Sequence, residues 1–348
     1  MDSTQLTSVL QCPSCHAIDL ISKDGEISCR ECHSIYHIVD GIPQMVSPVK
    51  ISSLKKEMID FWGGGWTKRV QEDASIVSKE RFLQEFGAMQ LLQKIIGVKE
   101  IQAMESLKLL GKRVLEIGCG VGSSSIAFAL DGAEVIASDL TKEAVTITAK
   151  KFRMLGIDGC VVQADAEHLP FRDSVFDVVF SSGVLHHTPD TQKAVDEIFR
   201  VVKPGGSAVV MLYAKWSGLY LIGLLLVRGI LLGGIVRYGL RDWLGHLTEV
   251  AWHRGSKRLN PLTKVYSGRQ MKNMFKKFNI INLWKHSFNW ADIFPGIYRI
   301  IPRRKIKLGD TRLVIPSVLE VVLGRWAGFS LVVHAKKLAS VEAQGLCQ

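Results

Sequence analysis

Between residues 109 and 215, short apolar segments alternate with segments in which apolar residues recur at helical spacing. Apolar strands separated by helices are typical of a parallel sheet that helices cover on both faces, so this region is predicted to be α/β. One predicted helix buries a face between Ala194 and Val202 and ends at Pro204-Gly205-Gly206. The predicted strands are 114–116, 133–140, 160–164, the segment 176–187 that runs into a loop, and 207–213.

The first predicted strand ends in Glu116 and runs into a turn with glycine at positions 118, 120 and 122. Glycines accept positive φ and let backbone N–H groups approach a ligand closely. A dinucleotide-binding turn would have its third glycine at position 123, where this chain has Ser123, and no Gly-Lys-Ser/Thr follows as in a P-loop. Asp139 lies 21 residues after Gly118, where a carboxylate can accept both ribose hydroxyls of a bound nucleoside.

This order of elements resembles the class I S-adenosylmethionine-dependent methyltransferases, in particular the ubiquinone and menaquinone biosynthesis enzymes with a methyltransferase type 11 core. The resemblance covers about residues 109–215 and implies a Rossmann-like, seven-stranded α/β sheet. A nucleotide-binding domain that transfers no methyl group is the alternative. The resemblance implies that S-adenosylmethionine is bound by Glu116, Gly118, Cys119, Gly120, Gly122, Asp139, Leu140, Asp165, Ala166, Ser181 and Ser182.

Within that set, the resemblance assigns Glu116 to the glycine loop or to the methionine amino group. Asp139 is assigned to the ribose and Asp165 to the adenine amino group. His186 and His187 follow the fourth strand and are the candidate catalytic bases, because a histidine of near-neutral pKa can remove a hydroxyl proton. A structural or gating role for both histidines stays open.

Four cysteines near the N-terminus have the spacing C-x2-C-x13-C-x2-C: Cys12, Cys15, Cys29 and Cys32. Two such pairs joined by a hairpin predict a zinc ribbon over residues 1–46, with a structural Zn²⁺ because four thiolates fill the coordination sphere. The nearby His16 and His33 are alternative ligands. The segment resembles the small activator partner of tRNA and protein methyltransferases, although it lacks their longer helical insertion. A stabilising cap and a substrate-recognition module are both open roles, and the cap is favoured.

Residues 47–108 are predicted to form a helical linker and lid, since Phe82, Phe86 and Met89 recur at helical spacing. The run WGGGW at 62–66 is expected to break the helix with a flexible turn. Its two tryptophans, Trp62 and Trp66, are expected to pack in the interior or to stack on substrate or adenine.

Residues 216–266 contain an apolar run at 219–236 with a single charge, Arg228. Three interpretations are open: a membrane span, a helix pair on a membrane surface, and a buried lid over an apolar substrate pocket. Arg228 and four glycines argue against the span. The surface interpretation would use the cations Lys215, Arg228, Arg237 and Arg241.

Residues 267–348 are predicted to complete the sheet. Ser267 is expected to cap a helix, and 280–284 and 329–335 are predicted as antiparallel strands six and seven. A basic insertion lies between these strands and is expected to bind phosphate or to be a solvated loop; it comprises Arg303, Arg304, Lys305 and Lys307.

The 348 residues carry a net charge of +11, which favours anionic partners. No secretory signal is recognised in residues 1–11, so a cytoplasmic protein is expected, with peripheral membrane contact through 219–236 as a further expectation. The leading hypothesis is methyl transfer to a hydroxyl or carbon of a small or lipid-linked metabolite. The alternatives are an RNA methyltransferase that grips RNA with its ribbon and basic loops, and a binding module without turnover. DNA is not expected, because Ser181-Ser182-Gly183-Val184 replaces the Asn-Pro-Pro-aromatic motif of amino-methyltransferases.

Overall fold

The computed structural model describes residues 3–73, 79–95, 97–249, 259–293, 297, 305–308, 311–314 and 316–339. The strands are β1 Leu20–Lys23, β2 Glu26–Cys29, β3 Ile35–Val39, β4 Ile42–Met45, β5 Arg113–Ile117, β6 Glu134–Asp139, β7 Cys160–Ala164, β8 Phe176–Ser182, β9 Val202–Tyr213, β10 Asn279–His286, β11 Lys305–Leu308, β12 Thr311–Val314 and β13 Ser330–Lys336. The helices are α1 Ser3–Val9, α2 Ser53–Asp73, α3 Lys79–Ile95, α4 Lys99–Ser106, α5 Ser123–Leu130, α6 Lys142–Leu155, α7 Thr191–Val201, a π-helix Leu219–Leu231, α8 Gly234–Leu247, α9 Gly268–Met274, α10 Trp290–Ile293 and α11 Val318–Ala327.

Eleven of the described strands form one mixed sheet in the order β1-β2-β3-β4-β7-β6-β5-β8-β9-β13-β10. The last seven strands of this order are the predicted core, and strands six and seven are the antiparallel pair β10–β13. The α/β prediction is therefore confirmed, but the count of seven strands is too low for the whole sheet. The four additional strands belong to the cysteine-containing segment.

The N-terminal segment is continuous with the core because β4 pairs in parallel with β7, at Gln44↔Gln163 and Met45↔Ala164. Its buried side chains Tyr36 and Met45 belong to the same hydrophobic cluster as Leu115 of β5. The sequence did not predict this pairing, since β4 and β7 are separated by more than a hundred residues. The predicted domain boundary at residue 46 divides a continuous sheet, and the domain bounds stay predictions.

The expected turn at 62–66 is wrong, because α2 continues as a helix from Ser53 to Asp73. Gly63 is buried where α2 lies against α6, and a Cβ there would lie 2.7 Å from Glu143 Oε2. Gly63 therefore allows close packing of α2 against α6. This contact outweighs the low helix propensity of Gly63.

The apolar insertion forms the π-helix and α8, and the axes of Leu219–Leu231 and Gly234–Leu240 are bent by 94°. Among the described residues, no single helix has both the length and the apolar composition of a membrane span; only this bent pair meets those criteria jointly. Leu224, Trp243 and Leu244 form a small core between the two helices. Many outer side chains of the pair are exposed, so the pair is not fully buried, and its role as a lid stays a prediction.

The prediction that Ser267 caps a helix is confirmed, because Ser267 is the N-cap of α9. Ser267 accepts a hydrogen bond from Gln270 N, and the Gln270 side chain accepts one from Ser267 N, which is a capping box. Within the basic insertion, Lys305 and Lys307 lie in the hairpin β11–β12. The other two members, Arg303 and Arg304, lie outside the described residues.

Candidate functional site

The glycine turn after β5 has positive φ at each of its glycines: Gly118 (+78°), Gly120 (+53°) and Gly122 (+78°). The backbone N–H groups of Gly118 and Cys119 both donate to Ser138 O, at 2.7 and 2.9 Å. A Cβ at Gly118 would lie 2.2 Å from Val184 Cγ2. The turn therefore requires glycine for its backbone conformation and for its contact with the loop after β8.

Asp139 is the last residue of β6, and its carboxylate links the glycine turn to Thr141, which precedes α6. Its carboxylate accepts hydrogen bonds from Gly120 N at 3.1 Å, Thr141 N at 2.9 Å and Thr141 Oγ1 at 2.8 Å. Burial raises the pKa of Asp139, an effect that these hydrogen bonds oppose. The side chain thus holds the turn in place and also faces the adjoining cavity.

Glu116 is buried at the end of β5, and its Oε2 accepts a hydrogen bond from Ser125 Oγ in the first turn of α5. Burial raises the pKa of Glu116 to about 7, and the hydrogen bond from Ser125 acts in the opposite direction. The carboxyl group therefore positions α5 behind the glycine turn. Its predicted contact with a methionine amino group stays a prediction.

Two neighbouring cavities meet at the glycine turn, and Trp62, Trp66, Gly118, Gly183 and Val184 line both. The first cavity is open to solvent and is also lined by the predicted residues Asp139, Leu140, Asp165 and Ala166. The second is also lined by the predicted residues Glu116, Cys119, Gly120 and Ser182.

Two of the predicted cofactor-binding residues line neither cavity. Gly122 is the N-cap of α5, and Ser181 donates from its Oγ to Ile117 O at 3.1 Å. Both support the walls of the site from behind. Their contact with a ligand stays a prediction.

Trp62 and Trp66 lie on α2 above the glycine turn. A Cβ at Gly120 would lie 2.8 Å from the Trp66 ring, and the Trp62 ring centroid lies 4.9 Å from that of His187. Both rings are half-buried and line both cavities. Helix α2 therefore covers the site. In this arrangement the two tryptophans can both pack in the interior and stack on substrate or adenine.

Lys55 of α2 was not singled out from the sequence, although it lines the first cavity. Its ammonium, which is buried, contacts Asp165 Oδ2 and lies 2.8 Å from Glu167 Oε2. Burial raises the pKa of Asp165, but the hydrogen bond from His168 and the charge of Lys55 outweigh this and hold it below the ordinary value. Asp165 is therefore an ionised carboxylate whose Oδ2 is already bonded within the protein.

The pair of histidines after β8 is buried. His186 is 0% exposed and lines neither cavity, and burial lowers its pKa well below the ordinary value. His187 lines the first cavity, its Nδ1 lies 2.8 Å from Leu262 O, and burial lowers its pKa to about 4. Among the described residues, His187 Nε2 has no hydrogen-bond partner. The position of His187 fits a proton acceptor better than that of His186, and the catalytic role of both stays a prediction.

The second cavity contains a pair that sequence reasoning missed. Tyr213 Oη donates a hydrogen bond of 2.5 Å to Glu249 Oε1. Burial raises the pKa of both groups, and the neighbouring Glu249 raises that of Tyr213 further. Tyr213 could have been found, since it ends a predicted strand at the sheet edge where α/β proteins bind ligands. Glu249 follows the apolar insertion and has no local signal.

The four N-terminal cysteines converge as predicted. Cys12 Sγ lies 3.6 Å from Cys32 Sγ, and Cys15 Sγ lies 3.6 Å from Cys29 Sγ. All four sulfurs lie within 4.8 Å of one another. A tetrahedral Zn²⁺ with Zn–S bonds of about 2.3 Å would separate its sulfurs by about 3.8 Å, so the set fits this metal.

The alternative ligands His16 and His33 are oriented by the turns that follow each cysteine pair. His16 Nδ1 lies 3.0 Å from Gln11 Nε2, and His33 is exposed. Their backbone N–H groups donate to Cys12 O and Cys29 O. The thiolates alone therefore supply four ligands, and neither histidine is needed.

A second group with metal-ligand spacing consists of Asp165, Glu167 and His168. Lys55 occupies the space between the two carboxylates, and Lys193 Nζ lies 2.6 Å from His168 Nε2. Two ammonium groups thus take the positions that a cation would need.

The family model described as Methyltransferase domain matches residues 115–210. This segment is a methyltransferase domain. It contains the glycine turn, Asp139, Asp165 and both histidines after β8. The domain and its fold support S-adenosylmethionine as the cofactor. The site fits this molecule on its own geometry, because the glycine turn lines both cavities and the Asp139 carboxylate faces the first of them.

Curated relatives match the methyltransferase domain. The ubiquinone/menaquinone biosynthesis C-methyltransferase UbiE of Vibrio campbellii is 40% identical over 110 residues, which is 30% of this chain and 42% of that protein. The demethylmenaquinone methyltransferase of Clavibacter sepedonicus is 40% identical over 101 residues, which is 29% of this chain and 40% of that protein. The chain thus spans less than half the length of these relatives.

Among solved structures, this chain is similar to an S-adenosylmethionine-dependent methyltransferase of Methanosarcina mazei. The identity is 19%, the TM-score is 0.45, and the match covers 68% of this chain and 97% of that one.

Proposed function

We propose that this protein transfers a methyl group from S-adenosylmethionine to a hydroxyl or carbon of a small or lipid-linked metabolite. The observation that carries the proposal is the second cavity, which adjoins the glycine turn and holds the hydrogen-bonded pair of Tyr213 and Glu249. When bound, S-adenosylmethionine supplies an electrophilic methyl group on a sulfonium, so the protein needs mainly to position the acceptor and exclude water.

The residues of the site divide these tasks. The glycine turn and Asp139 bind the nucleoside, and Trp62 and Trp66 exclude water from above. Glu249 accepts a proton from the acceptor, either directly or through the Tyr213 hydroxyl, since an oxygen nucleophile or a phenol-activated carbon must lose a proton to react. His187 is the second candidate for this role, because its Nε2 has no hydrogen-bond partner among the described residues.

The acceptor is proposed to be lipid-linked and of the quinone type. The names of the curated relatives support this class, although they match only the methyltransferase domain. The aromatic side chains Trp62, Trp66 and Tyr213 around the second cavity also suit a flat apolar ring.

Incubation with S-[methyl-³H]adenosylmethionine and a panel of acceptors tests the proposal. We expect label in the organic phase with reduced demethylmenaquinone in detergent, and none with total tRNA. Label in tRNA, with affinity falling steeply as salt rises, would instead support the RNA alternative. No transfer to either acceptor, from protein that binds the donor, would leave a binding module.

For the N-terminal segment we propose a structural Zn²⁺ and the role of a stabilising cap. The continuous pairing of β4 with β7 supports the cap, because the segment shares its core with the methyltransferase domain. The metal would be held by Cys12, Cys15, Cys29 and Cys32.

A further inference from the structure

Most of the large apolar side chains that are exposed among the described residues lie on the helices that follow β9 and on α11. A monomeric protein rarely leaves so many large apolar side chains exposed in neighbouring elements without a partner for them. We refer to them together as the apolar face. It consists of Trp216, Leu221, Ile222, Leu226, Ile230, Leu231, Leu232, Val236, Leu240, Val318, Leu319, Val321, Val322 and Trp326.

The exposed residues follow the periodicity of their helices. Ile222, Leu226 and Ile230 are each four residues apart on the π-helix, and Val318, Val322 and Trp326 are four residues apart on α11. Each helix therefore turns one apolar side outward. The opposite side of the helix pair packs on its own small core.

The two parts of the apolar face meet at Lys285 of β10. Its ammonium donates to Trp216 O at 2.5 Å and to Trp326 O at 3.2 Å. The backbone carbonyls of the two exposed tryptophans therefore both accept hydrogen bonds from the Lys285 ammonium. The tryptophans are 55% and 78% exposed, and tryptophan is enriched where proteins meet the lipid headgroup region.

The charges around the apolar face are mainly positive. Arg237 is exposed with its guanidinium 5.4 Å from the Tyr238 ring, and Lys215 Nζ lies 5.4 Å from the Trp216 ring. Arg325 is exposed beside Trp326, and Asp242 is an exposed acid on α8. With a chain charge of +11, this rim is complementary to anionic headgroups.

Arg228, the charge within the apolar run, is turned inward. It donates from Nη1 to Leu247 O at 3.4 Å, at the C-terminus of α8, where a cation is favourable. The outer side of the π-helix therefore carries no charge from Arg228.

The apolar face is connected to the second cavity. The Tyr213 ring, which lines that cavity, lies 4.2 Å from the Phe329 ring, centroid to centroid. Phe329 packs against the core formed by Leu224, Trp243 and Leu244. One aromatic contact thus separates the acceptor side of the site from the helices that bear the apolar face.

We propose that the apolar face docks on an anionic lipid bilayer, with the bent helix pair and α11 lying in the interface and the basic rim on the headgroups. A lipid-linked acceptor would then reach the second cavity from the bilayer. This delivery of the acceptor rests on the proposed function, whereas the docking of the apolar face on the bilayer does not.

Vesicle flotation tests docking with the full chain. We expect the protein to float with vesicles of phosphatidylcholine and phosphatidylglycerol in equal parts, and to float less with phosphatidylcholine alone or at high salt. Val236→Glu and Leu240→Glu should each lower the partition coefficient roughly tenfold or more, because a charge would enter the apolar layer. Val49→Glu is the matched control, since Val49 is 90% exposed and Val236 is 91% exposed, but Val49 lies outside the apolar face.

Failure of the wild-type protein to float with either vesicle, or equal binding by Val236→Glu and Val49→Glu, would overturn the proposal. So would a dimer in sedimentation that Val236→Glu dissociates while vesicles have no effect, because the face would then bind a second copy. Titration with S-adenosylhomocysteine separates this failure from that of the proposed function, since nucleoside binding requires no contact of the apolar face.

Discussion

Tyr213 Oη and Glu249 Oε1 lie 2.5 Å apart at the carboxyl end of β9, where the second cavity opens beside the glycine turn. Tyr213 belongs to the sheet, and Glu249 follows α8, so the hydrogen bond fixes the end of the apolar insertion to the core. Burial raises the pKa of the carboxyl group above its ordinary value. A base of this kind is better matched to proton removal near neutral pH than an exposed glutamate.

Replacing Glu249 should change the pH profile of methyl transfer. The reactive form is the carboxylate, so the wild-type rate should fall as the pH drops below the raised pKa of Glu249. Glu249→Gln should lower kcat by roughly 10²–10⁴-fold and remove this acidic limb, because a general base is lost. Tyr213→Phe should retain the limb at a lower rate. An unchanged profile in Glu249→Gln, with kcat intact, would contradict the assignment.

Lys55 is expected to be essential for stability. Lys55→Met would leave the buried carboxylates of Asp165 and Glu167 without their cation, which should cost about 3–5 kcal/mol of unfolding free energy in urea titration. Lys56→Met is the matched control, because Lys56 is exposed on the same helix turn.

The Lys55 effect should also depend on pH. The folded-state pKa of Asp165 is lowered, so its contribution to stability is present above the ordinary value of about 4 and is lost as the pH falls through the lowered pKa. The difference between wild type and Lys55→Met should therefore shrink in acid. A constant difference down to acid unfolding would argue against an ion pair.

Zinc removal should destabilise the methyltransferase domain as well as the N-terminal segment, because β4 pairs with β7. We expect one Zn²⁺ per chain by elemental analysis and a lower Tm after chelation. Cys29→Ser should lose the metal, whereas Cys160→Ala, at a buried cysteine outside the cluster, should keep it. Full zinc occupancy in Cys29→Ser would exclude the four-thiolate site.

Gly118→Ala should abolish nucleoside binding, because the new methyl group would lie against Val184 and φ is positive there. Gly156→Ala is the control: φ is also positive at Gly156, but nothing lies within 4 Å of its Cβ position. In both variants, backbone strain should lower the free energy of unfolding by about 1 kcal/mol. Only Gly118→Ala should also bind the nucleoside more weakly. Equal affinity in the two variants would show that the turn tolerates a side chain.

The sequence was sufficient to predict the parts of the fold that depend on local patterns. Strand β7 was predicted at 160–164, and Ser267 was predicted to cap a helix, as it does at the N-terminus of α9. The cysteine pairs were found because their spacing along the chain determines the ligand geometry. These features depend on neighbours in sequence, so periodicity and spacing reveal them.

The features that were missed depend on contacts between distant segments. Helix α2 continues through Gly63 because it packs closely against α6 at that residue. The β4–β7 pairing joins strands from different predicted domains. Lys55 and Glu249 are charged residues whose neighbours in sequence give no sign of burial. Their roles follow from Asp165 and Tyr213, which the fold brings to them.

Calorimetric titration of the zinc-loaded chain with S-adenosylhomocysteine tests most directly whether the glycine turn and Asp139 bind the nucleoside of the methyl donor. We expect saturable heat with one site per chain, and an affinity at least about tenfold weaker, or 1.4 kcal/mol, in Asp139→Asn. Asp131→Asn, at an exposed residue after α5, should bind like wild type. Absence of heat with both S-adenosylhomocysteine and S-adenosylmethionine would contradict the assignment of the site.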